Sequence, residues 1–358
     1  MKYTNTLSIA FIIAFFFISF SCKKKKDDDP QPTEKKKYAW VSGAHDSTGY
    51  GIILFTPDAG ETWERQGLGS SALQGIDVSD IWAVDENNVW ACGTGNSILN
   101  TTDGGQSWTK IQPSNQNNPN LSMISIVDLT DIWICGDSGT IYRSKDKGNT
   151  WSMIESNIIN QAFLQGIWAI DTETVYTVGM QSTNSRGFIA CTHDGGNTWD
   201  TISPAENYNK WEWIGAVAYG ETIVIYGTKA HYMVSMDAGS TWKNDSVPDA
   251  GGGGGEADIN DLIMLDEDTW WGAFDMGNIF ITRDGGTTWT QQGVPDVAGG
   301  SFLVGIDCWD EDLALVVASG FYYPPVSPIL KTENGGSSPW TKQYMADAPL
   351  WKVSFIKD

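Results

Sequence analysis

Thr101 to Trp108, TTDGGQSW, is one of seven copies of a single pattern, Ser/Thr-x-Asp-x-Gly-x-Thr/Ser-Trp. The others are TPDAGETW from Thr56, SKDKGNTW from Ser144, THDGGNTW from Thr192, SMDAGSTW from Ser235, TRDGGTTW from Thr282 and a degraded TENGGSSPW from Thr332. Their third positions, Asp58, Asp103, Asp146, Asp194, Asp237, Asp284 and Asn334, lie 43 to 50 residues apart. A period of that size with short strands between copies predicts an all-β chain folded as a β-propeller, one copy per blade. The residue types suit a tight hairpin turn. Asp accepts backbone N–H groups just ahead of it, Gly supplies a left-handed backbone, and Trp restarts a strand and covers the turn.

The pattern resembles the Asp-box (BNR repeat) of the sialidase-like and sortilin-like propellers. Its D-x-G core is also compatible with a calcium loop, but the further oxygen ligands and distal Glu of such a loop are missing. The turn aspartates therefore read as structural. No metal or cofactor is called for.

Between turns, each repeat divides into four strands, a to d from the centre outwards. In the third repeat these are SMISIVD (122–128), DIWICG (131–136), TIYRS (140–144) and TWSMI (150–154). The repeated turn is thus the c–d hairpin. The first repeat lacks an a strand, because nothing before Tyr38 has the pattern, whereas LWKVSFIKD at the C-terminus matches one. Residues 351–357 are therefore expected to supply the innermost strand of the first blade, leaving no open sheet edge at the seam. The reading is one domain, residues 38–358, of seven four-stranded antiparallel blades.

Residues 1–21 read as an export signal, with Lys2 ahead of an apolar run from Ile9 to Phe20. Ser21-Cys22 after that run resembles a lipobox, which implies acylation at Cys22; an ordinary signal-peptidase site is the alternative. The segment KKKKDDDPQPTEKKK completes a charged tether over residues 22–37 without an apolar residue. Lys26-Asp27-Asp28-Asp29 resembles the surface-export signal of outer-membrane lipoproteins. The expected location is the outer membrane, at the cell surface or facing the periplasm, with the lipid as the membrane contact. The remaining chain carries 14 basic and 40 acidic residues, a net charge near −26. That balance argues against nucleic acid and against anionic membrane surfaces as partners.

Cys92 (VWACG) and Cys135 (IWICG) fall at equivalent strand positions about 10 Å apart, too far for a disulfide. With Cys191 and Cys308 they read as small buried hydrophobes. Trp82, Trp133, Trp168, Trp270 and Trp271 sit on strands and read as packing between blades.

The b–c and d–a loops share one face and hold most length differences between repeats, the usual place for a binding surface. That face is predicted to carry Tyr50, Tyr208, Trp211, Trp213, Tyr322 and Tyr323, with Arg186, Lys229, His231 and His45 among them. Aromatic rings edged with polar groups suit a sugar ring or a peptide.

No catalytic residue is assigned. A sialidase resemblance would imply three converging arginines, and the only four are Arg65, Arg143, Arg186 and Arg283, of which Arg186 alone is placed for a central site. Glu206, Glu212, Glu256, Asp258, Asp261 and Asp275 lie on or near the loop face, but their pairing for glycoside hydrolysis is not legible. A lyase would need a His/Tyr pair, for which His231-Tyr232 and His45 with Tyr50 are the candidates. The segment IWAVDENNVWACGTGNSILNTTDGGQSW (81–108) is similar to repeats of the photosystem II stability and assembly factor-like propellers. This resemblance spans most of residues 38–358 and implies a non-catalytic scaffold for a protein partner, although the acidic surface departs from the basic patch of the photosynthetic members. The alternative is a surface protein that binds or cleaves glycans in a polysaccharide-uptake system.

Overall fold

A computed structural model describes residues 35–114, 117–160, 162–203, 211–250, 257–295, 302–320, 327–337 and 339–356. The chain divides into two units, Met1–Lys35 and Lys36–Asp358, and the fold is that of the second. It is a seven-bladed propeller in which every blade is an antiparallel sheet of four strands. The a strands are Leu350–Phe355, Val78–Ala83, Leu121–Asp128, Ala162–Ala169, Trp213–Tyr219, Ile259–Met264 and Phe302–Cys308, for blades 1 to 7. Blade 1 closes as the sequence requires. Leu350–Phe355 pairs with Ala39–His45, matching Val41 to Val353 and Ala39 to Phe355.

The repeated turns hold their shape by side-chain hydrogen bonds, and one copy serves for all. The Thr192 hydroxyl donates to Asp194 Oδ1 at 2.8 Å and accepts the Gly196 N–H at 2.9 Å. Asp194 in turn accepts the Thr198 N–H and hydroxyl at 2.8 and 2.6 Å. Gly196 stands at φ +87°, which a residue with a Cβ adopts only with strain. The Asp is therefore consumed by its own turn.

Five of the turns are also pinned by a polar contact from the preceding blade. Gln66 Nε2 donates to the Gly104 carbonyl (2.8 Å), the Tyr232 hydroxyl to Gly286 (2.8 Å) and Arg283 Nη2 to Gly335 (3.2 Å). Arg143 donates to the Gly195 carbonyl at 2.7 Å, forms a two-pronged pair with Asp131 and lies 4.3 Å over the Trp133 ring. At the closing seam, Lys331 of blade 7 pairs with Glu61 in the turn of blade 1. Arg143 and Arg283 thus serve the seams.

Between sheets the core is apolar on both faces, with Trp133, Trp270 and Trp271 fully buried. Cys92, Cys135, Cys191 and Cys308 are buried free thiols, as expected of small core residues.

All seven a strands slip register near their start, at the second residue in five blades, at the third in blade 7 and at the fourth in blade 4, a β-bulge that sets the chain there onto the facing b strand. A b-strand glycine meets it in five blades, and Gly136 is the example. A Cβ there would lie 2.2 Å from the Asn120 carbonyl oxygen, a contact with backbone that cannot swing away. Gly136→Ala is expected to cost about 1–3 kcal/mol, as overpacking does. Chemical denaturation checks this, and a native-like midpoint would contradict it.

Candidate functional site

The predicted loop face is assembled in part. Trp211, Lys229 and His231 meet at the rim of blade 5. The Trp211 and His231 rings are 5.3 Å apart, and Lys229 Nζ lies 4.3 Å over the indole. Lys229 reaches this place from a left-handed turn (φ +61°) whose amide is held by Asp258 Oδ1 at 2.8 Å. Arg186, exposed on the adjacent loop of blade 4, precedes Gly187, which packs against the Trp211 carbonyl. Tyr50 is half-buried on blade 1, its carbonyl accepting from Arg65 at 3.0 Å. Tyr208, Tyr322 and Tyr323 lie outside the described residues.

Trp213 departs from the expectation. It begins the a strand of blade 5, equivalent to Val78 and Leu121, and is fully buried between sheets. The sequence places it at the end of a loop because KWEW runs straight into the strand.

The His/Tyr candidates do not pair. His231 faces the rim, whereas the next residue, Tyr232, points into the seam and donates to Gly286. His45 Nδ1 contacts Asp77 Oδ1 at 2.6 Å. Among the described residues, no group of three His, Cys, Asp or Glu side chains could hold a metal ion.

A concavity lies elsewhere among the described residues. A cavity of about 580 Å³ occupies the centre of the ring, lined by the a strands of all seven blades from their third residues onward. It therefore opens towards the a–b turns, the face opposite the predicted one, where Asp128 and Tyr219 are exposed. Trp82 and Trp168, read from sequence as packing between blades, are half-buried cavity walls. They come from blades 2 and 4, and their rings meet 5.6 Å apart across blade 3, whose matching position is the small Ser125. Trp309 stands on another wall, edge-on to Phe355 at 6.2 Å.

The floor is charged. Lys352 Nζ reaches down to Asp261 Oδ1 at 2.6 Å, below the lining residues. Asp261 also accepts the Tyr226 hydroxyl (3.1 Å) and the Ile306 amide (2.8 Å), so it is closed off from the cavity. Asp80 and Asp307 do line the cavity. Each latches its blade to the next: Asp80 Oδ2 accepts the Ile124 amide and Asp307 Oδ2 the Phe355 amide, both at 2.8 Å. Ser354 to Ala83 and Ser125 to Ala169 repeat the arrangement with hydroxyls. Such positions look like ordinary strand residues in sequence. Their only signal is a polar residue facing inward on an otherwise apolar strand.

Two opposing pH effects follow. Burial pushes the Asp80 carboxyl up to about 6, against the pull of Lys352 and the Ile124 and Ile81 amides. Between pH 3.8, its ordinary value, and about 6 the folded chain holds a proton that the unfolded chain releases, so stability falls as pH rises through that window. The span corresponds to on the order of 3 kcal/mol. The turn aspartates act in the other direction. The Ser107 and Thr198 hydroxyls hold Asp103 and Asp194 down at about 2, so their contribution is present above pH 3.8 and lost as pH falls towards 2. Thermal melting is expected to peak between about pH 4 and 5. Asp80→Asn should flatten the limb above that peak; a native melting temperature that climbs steadily from pH 5 to 8 would contradict the assignment.

No protein-family model matches this sequence, and no curated protein matches it. Solved structures do match in fold. YCF48 bound to D1 peptide aligns with a TM-score of 0.61 at 20% identity, over 79% of this chain and 87% of that one. YCF48 from Cyanidioschyzon merolae gives 0.57 at 18% identity, over 81% and 94%. The GH74 xyloglucanase from Xanthomonas campestris gives 0.61 at 13% identity, over 89% of this chain but only 56% of its own. This chain shares their propeller fold. At such identities the likeness carries the architecture and no activity.

Proposed function

We propose that this chain is a lipid-anchored, extracytoplasmic propeller that binds a protein partner without acting on it chemically. The observation that carries the reading is the use of the channel acids. Asp80 and Asp307 are fixed by the amides of the next blade, and Asp261 is closed by Lys352 and Tyr226. The groups best placed for acid–base chemistry therefore hold the ring together, around a cavity walled by aromatic rings. The fold relative YCF48, described as bound to D1 peptide, supports a peptide ligand.

The anchor rests on Ser21-Cys22 behind the apolar run and on the charged tether that follows. Cys22→Ala is the variant that tests it, through loss of the chain from the outer-membrane fraction. A surface glycan-binding or glycan-cleaving role is the second reading, supported by the indole, ammonium and imidazole groups that meet at Trp211, Lys229 and His231.

One experiment separates the two. The purified full chain is cross-linked in membranes for partner identification and, in parallel, incubated with a panel of bacterial and plant polysaccharides. A reproducible protein partner with no new oligosaccharides supports the scaffold. Oligosaccharide release that disappears in His231→Ala would sink it.

A further inference from the structure

We propose that the central cavity receives a basic side chain, lysine or arginine, presented by an extended peptide lying across the a–b turn face. This deepens the protein-binding reading and rests on it. Near the mouth the walls are aromatic, with Trp82 and Trp168 joined on one side and Trp309 on another. Asp307 stands level with the indoles of Trp82 and Trp168, and Asp80 and Lys352 lie deeper. Lys352 is neutralised from below by Asp261, at 2.6 Å. The surplus charge facing the cavity is thus negative.

A ligand that fits this gradient has an apolar stem and a cationic head. The stem passes between indole faces, which also attract cations, and the head reaches carboxylates. Asp80 can take a further donor, because a carboxylate offers about four acceptor sites and its latches use one amide per oxygen. The volume, about 580 Å³, lies within the range of specific ligand sites. An anionic head would meet two carboxylates, and a purely apolar one would strip water from them without recompense. The overall charge of −22 draws basic segments towards the propeller.

Free polyamines carry the same chemistry, so the test has arms for both sources. The full chain is titrated with acetyl-Leu-Lys-Leu-amide, the same peptide with norleucine for lysine, and spermidine, read by tryptophan fluorescence and calorimetry. The lysine peptide is expected to bind at least about tenfold more tightly than the norleucine peptide, and Asp80→Asn to remove that preference. Equal binding of the two peptides, or no binding of either, overturns the proposal. Spermidine binding as tightly as the lysine peptide overturns the peptide as its source. If Asp80→Asn fails to fold, the native protein decides by salt. Affinity for the lysine peptide falling between 50 and 500 mM salt, with that for norleucine unchanged, supports the site, and parallel curves overturn it. A partner captured by cross-linking whose binding is indifferent to the lysine peptide as competitor overturns this inference and leaves the scaffold reading in place.

Discussion

A chain ending at Ala348 is expected to give no cooperative thermal transition and no native tryptophan spectrum. The deletion removes the a strand of blade 1, which buries Leu350, Val353 and Phe355 almost completely. At about 2 kcal/mol for each buried apolar side chain, their loss amounts to roughly 6 kcal/mol. That is comparable to the net stability of a whole domain. The deletion also removes two ring latches, the Ser354 hydroxyl under Ala83 and the Phe355 amide on Asp307. Finally, it leaves the inner edge of Ala39–His45 unpaired, a template for aggregation. Circular dichroism and calorimetry against the full chain provide the check. A truncated chain with a sharp transition near the native temperature would show that six complete blades suffice.

Lys352→Ala is expected to cost about 3–5 kcal/mol, the usual penalty for leaving a buried charge without its partner. Lys352 is the sole ammonium group among the cavity-lining residues, and Asp261 beneath it is 2% exposed. The pH dependence distinguishes charge from packing. Lys352 holds Asp80 below where burial alone would put it, so its removal lifts that carboxyl further above about 6. A raised folded-state value for an acid means stability lost as pH rises. The deficit of the variant should therefore be larger at pH 8 than at pH 5. Lys352→Met keeps most of the stem and should show the same slope. Deficits equal at both pH values would assign the loss to packing alone.

The fold was legible because the turn chemistry is local. Thr192, Asp194, Gly196 and Thr198 satisfy one another within seven residues, so a short string of letters specifies the hairpin without reference to the rest of the chain. The closing strand was legible by subtraction, from a first repeat without an a strand and a C-terminus with a spare one. The cavity was not. Trp82, Trp168, Asp80 and Lys352 alternate with core residues along their strands, and only the curvature of the ring decides which of two apolar faces looks inward. Trp211, Lys229 and His231 do contact one another, because aromatic and basic residues in a long loop have little core to join. Trp213, three letters away from Lys210, belongs to the strand instead.

The strand that completes blade 1 is also synthesised after all the other described strands of the propeller. Until Leu350–Phe355 has left the ribosome, Ala39–His45 has no inner partner, and the contact it waits for lies some three hundred residues downstream. Blades 2 to 7 are each continuous in sequence and can form as they emerge, but the ring is drawn tight only at the end. Contacts of such long range slow folding. The nascent chain is thus an open arc with adhesive ends, and its exposure to other chains is governed by how quickly the first and last segments find each other.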